Sequence, residues 1–192
     1  MLWDLKAHLY HWLRWLPPWG VLATRERLLL TKALEEVAEP VGRVLDLATG
    51  TGHSLALLAD RSALYGLDRS RAMLRHAKRR VPQAHLVQGD ALVPPLRTGS
   101  FGLVTCIGLA EYLSEMGNLL QVIGDLLRPG GVAVVSVSPK NVLLTARKVL
   151  GHRLYHHDTM ATRRAAAASG LVVDRVLVSC SQWLYVLRKV EG

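Results

Sequence analysis

Three aspartates recur at equal intervals, Asp46, Asp68 and Asp90, each 22 residues beyond the last. A carboxylate accepts hydrogen bonds from hydroxyls and amines and balances a nearby cation. The first lies in Val44–Leu45–Asp46–Leu47–Ala48–Thr49–Gly50–Thr51–Gly52, where an apolar run of strand-forming residues breaks into a glycine turn. Gly50 and Gly52 let the backbone approach a ligand that a Cβ would push away. Asp68 follows Gly52 by 16 residues, close to the spacing at which an acidic residue meets ribose hydroxyls in nucleotide sites. A dinucleotide fingerprint would place a third glycine at position 55, which is Leu55. The chemistry indicated is therefore recognition of a nucleotide-like ligand of another kind.

These aspartates need strands to hold them and helices to space them. Val44–Leu47, Ala63–Leu67, Ala84–Gln88, Phe101–Cys106, Val132–Val137, Leu171–Val178 and Gln182–Arg188 read as strands. An interval of 22 residues is one strand–helix repeat of a parallel sheet. Helices are expected at Thr24–Glu39, at His53–Asp60, after Ser70, at Ser114–Leu127, at Asn141–Leu150 and at Ala161–Ser169. The first 16 residues place Leu2, Leu5, Leu9, Trp12, Leu13 and Leu16 on one helical face, and Pro17–Pro18 stop that helix. Four of the five tryptophans fall in the first 19 residues. This helix suits three roles: packing on the core, a lid over an apolar pocket, or an amphipathic membrane contact.

Several motifs in order resemble the class I S-adenosylmethionine (SAM)-dependent methyltransferases. They are Asp46-x-Ala48-x-Gly50-x-Gly52, Asp68-x-Ser70-x-x-Met73-Leu74-x-x-Ala77, Gly89–Asp90–Ala91 and Leu127-x-Pro129–Gly130–Gly131. The resemblance covers residues 40–190 and is nearest to small bacterial methyltransferases of quinone biosynthesis and phospholipids. It implies an α/β, Rossmann-like fold with a seven-stranded, mostly parallel sheet, an antiparallel last strand and helices on both faces. It also implies two regions, N-terminal helices over 1–39 as lid or membrane-facing part and a SAM-binding domain over 40–192. In such a fold Asp46, Ala48, Thr49, Gly50 and Gly52 surround the methionine end of the cofactor. Asp68, with Arg69 and Met73 beside it, takes the ribose, and Asp90 with the Ala91 N–H takes the adenine. Cys106 and Gly108 pass the methionine portion, where small residues give clearance.

The acceptor side is less explicit. Tyr10, Glu111, Tyr155, His156 and His157 are the acceptor-side candidates, with His53, Tyr112 and His152 as further titratable groups. Cys106 reads as a packing residue, since methyl transfer needs no enzyme-bound intermediate. His152, His156 and His157 lack a familiar metal-ligand spacing, so no metal is expected. Val93–Pro94–Pro95–Leu96 precedes the fourth strand and lacks the polar and aromatic flanks of a base-reading loop, so it reads as a surface turn and nucleic acid is not the expected partner.

The chain has 192 residues, half of them hydrophobic, enough for one sizeable core. Its formal charge of +9 is spread over the body, with +5 between residues 41 and 100 and +3 between 151 and 192. That surplus suits an anionic partner such as a membrane surface, nucleic acid or an acidic metabolite. Two cysteines provide no disulfide framework, no stretch reaches the roughly 20 apolar residues of a membrane span, and no basic leader opens the chain. The expected setting is cytoplasmic with peripheral membrane contact through residues 1–19. The expected activity is methyl transfer from SAM to a small lipophilic acceptor, a quinone precursor or a phospholipid head group. A soluble metabolite or RNA acceptor, or a non-catalytic SAM-binding subunit, are the alternatives; the oligomeric state is left open.

Overall fold

The computed structural model describes residues 19–35, 37, 42–60, 63–139 and 154–191. The amphipathic pattern of residues 2–16, Tyr10, the helix expected at Asn141–Leu150 and His152 lie outside the described residues. Seven strands, β1 (Arg43–Leu47), β2 (Ala63–Asp68), β3 (His85–Gln88), β4 (Phe101–Cys106), β5 (Leu127–Val137), β6 (Leu171–Val178) and β7 (Trp183–Lys189), form one sheet. Their order is β3-β2-β1-β4-β5-β7-β6. β1 to β5 pair in parallel, and β7 runs antiparallel between β5 and β6.

Strand alternation divides the core into two layers. Leu45 and Leu47 of β1, Val104 and Cys106 of β4, and Tyr185 and Leu187 of β7 face one side. There they pack with Leu119, Leu120 and Ile123 of α3 (Met116–Leu126) and Ala166 of α4 (Thr159–Ala168). Val44, Leu103, Val134, Leu184 and Val186 face the other side. They meet Leu30, Ala33 and Leu34 of α1 (Trp19–Glu35) together with Leu55 and Leu58. Each fully buried leucine contributes roughly 1.5–3 kcal/mol through removal from water. α2 (Arg71–Arg80) is capped by Ser70, whose hydroxyl accepts the Met73 N–H at 3.2 Å.

Several expected boundaries shift, and four of the shifts have a local cause. α1 starts at Trp19, five residues before Thr24, and runs through Gly20, whose helix penalty is only about 1 kcal/mol. The helix expected at His53–Asp60 contracts to a single 3₁₀ turn, Leu55–Leu58, which suffices to bury both end leucines. β5 begins at Leu127, which pairs with Phe101 across an irregular register, so Pro129–Gly130–Gly131 lie inside the strand. α4 begins at Thr159 because the Asp158 carboxylate caps the N–H groups of Met160 and Ala161.

Candidate functional site

The strand order reverses between β1 and β4: β2 and β3 extend one way from β1, and β4 and β5 the other. In such sheets ligands bind outside the carboxyl ends of the strands at this point. The turn after β1 and the segment after β4 flank it.

Asp46 opposes Thr105 in the β1–β4 register, which places both side chains on one face of the sheet. The Thr105 hydroxyl donates to Asp46 Oδ1 at 2.7 Å. Thr49 and Ser54 donate to Oδ2 at 2.6 and 2.7 Å. Gly66, opposite Asp46 on β2, has no side chain; a Cβ there would lie 3.2 Å from the Thr49 methyl and 2.9 Å from Leu86. Burial pushes the Asp46 carboxyl above its usual range, and the three hydroxyls, led by Thr49, pull it back. Asp46 is fully buried, so it braces the turn from beneath.

The turn itself is tied down at several points. Thr49 N–H donates to the Leu67 carbonyl at 2.9 Å, and Gly50 N–H to Asp68 Oδ2 at 2.8 Å. The other Asp68 oxygen accepts the Ser70 N–H at 2.8 Å, so one carboxylate clasps the glycine turn to the start of α2. Arg80 donates from the far end of α2 to the Thr51 carbonyl. The two glycines serve different ends. Gly50, at φ +54°, has open space where a Cβ would project. Gly52, at φ +79°, lies so close to α2 that a Cβ would sit 3.0 Å from Ala77 Cα, so helix packing requires it. Ala48, at φ +60°, is the one non-glycine with positive φ among the described residues.

The remaining cofactor-side candidates line the same sheet end. Asp90 is exposed, and its Oδ1 accepts the Leu92 N–H at 2.9 Å in a local turn, with Ala91 buried beside it. The Gly89 N–H donates to the Asp68 carbonyl at 3.1 Å, joining the ends of β2 and β3. Arg69 is exposed and Met73 buried in the first turn of α2. Cys106 closes β4 in the core, where burial, with the Asp46 charge adding to it, drives its thiol far above the usual value and leaves it uncharged. Gly108, at φ +80°, also faces open space, and its N–H donates to Ser136 Oγ at 2.7 Å.

Four of the five acceptor-side candidates come together past the ends of β4 and β5. Glu111 is buried in the 3₁₀ turn Ala110–Tyr112, and the Ser138 hydroxyl donates to its Oε2. Tyr155 N–H donates to the Glu111 carbonyl at 2.7 Å. Buried His157 sets Nε2 at 2.9 Å from the Ala110 carbonyl, so that nitrogen carries the proton. His156 is exposed, its Nδ1 3.4 Å from the Ser138 carbonyl. Tyr10 lies outside the described residues. Sequence reasoning missed Ser54, Thr105, Ser136 and Ser138; isolated hydroxyls show no local pattern, and only the strand register aligns them.

The open spaces at Gly50, beside the anchored Asp68 carboxylate, and at Gly108, across the reversal point, fit a nucleoside ligand with a small amino-acid tail. A methyltransferase-domain family matches residues 44–131, from the first strand through the Pro-Gly-Gly segment. The chain carries a methyltransferase domain. The chain is 42% identical over 101 residues to a demethylmenaquinone methyltransferase of Beutenbergia cavernae, over 52% of this chain and 42% of that protein. It is 38% identical over 102 residues to a trans-aconitate 2-methyltransferase of Deinococcus radiodurans, over 51% of this chain and 38% of that one. The chain thus spans about two fifths of the length of these curated relatives. In fold it is similar to the crystal structure of a SAM-dependent methyltransferase of Thermotoga maritima. The TM-score is 0.74 at 17% identity, covering 98% of this chain and 99% of that one.

Proposed function

We propose that this methyltransferase moves a methyl group from SAM to a small lipophilic acceptor, a quinone precursor or a phospholipid head group. The observation that carries the reading is the Asp68 carboxylate clasping Gly50 at the strand reversal, beside open space. When bound, SAM supplies a sulfonium-activated methyl. This chain's residues bind, orient and exclude water. Asp68 accepts from the ribose hydroxyls, with Arg69 and Met73 alongside. Asp90 and the Ala91 N–H hold the adenine. Ala48, Thr49, Gly50, Gly52, Cys106 and Gly108 leave a slot for the methionine portion, and Asp46 sets the field beneath it. Aligning the acceptor behind the methyl supplies several kcal/mol, up to about 7–11 in ideal cases. Glu111 and Tyr155–His157 shape the acceptor wall, and His156 is the exposed base for an acceptor that needs one.

The lipophilic acceptor is supported by similarity to the demethylmenaquinone enzyme and by the tryptophan- and leucine-rich residues 1–19. In this reading those residues form a lid or peripheral membrane contact of a cytoplasmic enzyme, and residues 40–192 form its SAM domain. No described helix is long and apolar enough to cross a membrane. A second reading, a soluble acidic acceptor, is favoured by the trans-aconitate relative and the +9 charge.

Calorimetry with SAM, followed by transfer of a labelled methyl to lipid and aqueous cell extracts, tests both. Label in the lipid fraction is the expected result. Label in the aqueous fraction alone replaces the first reading with the second, and absence of SAM binding overturns both.

A further inference from the structure

Between Asp68 and Asp90 the chain holds six lysines and arginines and no carboxylate. α2 carries five of them, and β3, against which it packs, is an edge strand of the sheet. A groove of about 340 Å³ opens there, lined by Arg71, Leu74, Arg75, Lys78, Leu86 and Gln88. Arg71, Arg75 and Lys78 follow one another at steps of four and three residues, so they stand on one helical face. All three are exposed. No carboxylate pairs with them among the described residues; Lys78 Nζ donates to the Ala84 carbonyl at 3.1 Å, which leaves its charge unbalanced. The loop that leaves β3 bears Val93, 79% exposed.

We infer that this face, the α2–β3 groove, docks the protein on an anionic phospholipid membrane. Three convergent cations supply the attraction to lipid phosphates. Leu74 and Leu86 give the groove an aliphatic floor that suits glycerol and the first acyl carbons. Single-stranded nucleic acid calls for aromatic stacking platforms, and no aromatic residue lines the groove. The groove lining shares no residue with the glycine turn, so the inference stands whether the methyl acceptor is lipophilic or soluble. It would set the enzyme's sheet edge toward the bilayer.

The test is cosedimentation of the full chain with vesicles of phosphatidylcholine, with and without phosphatidylglycerol. Two charge-reversal pairs are compared: R71E/R75E in the groove, and R163E/R164E, the same charge change on exposed positions of α4. Each cation close to an anionic surface is worth roughly a factor of five in affinity. The expected result is binding to the anionic vesicles only, lowered at least about tenfold by R71E/R75E and much less by R163E/R164E. Should R71E/R75E fail to fold, the neutralising pair R75Q/K78Q is read in its place. Equal losses from both surfaces, binding that ignores phosphatidylglycerol, or no binding at all would overturn the inference. So would full competition by inorganic phosphate at constant ionic strength, or tighter binding to a single-stranded RNA.

Discussion

The Gly50 N–H and the Asp68 carboxylate, 18 residues apart in sequence, meet in a 2.8 Å hydrogen bond that fixes the glycine turn against the end of β2. Because the same side chain is assigned the ribose hydroxyls, its loss acts on turn and ligand together. Asp68→Ala is expected to weaken SAM binding by roughly 1–3 kcal/mol, the value of charge-assisted hydrogen bonds. Isothermal titration checks it; unchanged affinity in a variant that melts like the parent would refute the assignment.

Asp46 gives a pH dependence of defined sign. Burial raises its carboxyl above the usual value of 3.8, so the native state keeps this proton to higher pH than the unfolded chain does. The group's contribution to stability is full below the unfolded value and is lost as pH rises through the native one. Asp46→Asn has no such titration. The stability of the parent relative to Asp46→Asn should therefore fall on going from acid to neutral pH. Denaturant melts at a series of pH values would show it, and a difference that grows with pH would contradict the argument.

Ala48 pays for its left-handed backbone, a conformation that costs a residue with a Cβ roughly 1–2 kcal/mol. Glycine removes that strain and loses part of the gain to its greater freedom when unfolded. Ala48→Gly is expected to stabilise by about 0.5–1 kcal/mol, a rise in Tm of roughly 1–4 °C for a chain of this size. Differential scanning calorimetry decides it, and a lower Tm would mean that the Cβ makes a contact worth more than the strain.

Ser138 ties together the segment proposed as the acceptor wall: its hydroxyl donates to Glu111 and its carbonyl faces His156. Ser138→Ala takes a donor from a buried carboxylate, a loss of about 1–3 kcal/mol in stability. It also loosens Tyr155–His157 while leaving Asp46, Asp68 and their partners in place. Steady-state kinetics should show a raised KM for the acceptor with the SAM affinity unchanged. A SAM affinity that falls in parallel would place Ser138 on the cofactor side instead.

Much of the fold was legible in the sequence. β4 and β6 follow the expected spans residue for residue, since each is an apolar run bounded by turn residues. The three aspartates with the glycine turn marked the sheet end where the structure brings them together. The 3₁₀ turn at Leu55–Leu58 was not legible, because leucines at helical spacing look alike whether they continue for one turn or three. Nor was the second duty of Gly52, which depends on the approach of α2. The hydroxyls on Asp46 come from β1's turn, from Ser54 and from Thr105 on β4, and pairing across that distance follows from sheet order alone.

The bond from Thr105 to Asp46 spans 59 residues of chain. Contacts of such sequence separation form late, after the entropy of a long loop has been overcome. A fragment reaching from β1 to Asp90 would own every acidic strand end and yet lack the Thr105 hydroxyl that completes the set on Asp46. The pocket is thus expected to be completed late in folding, so that a ligand selects the finished chain. SAM should accordingly slow unfolding much more than it speeds folding.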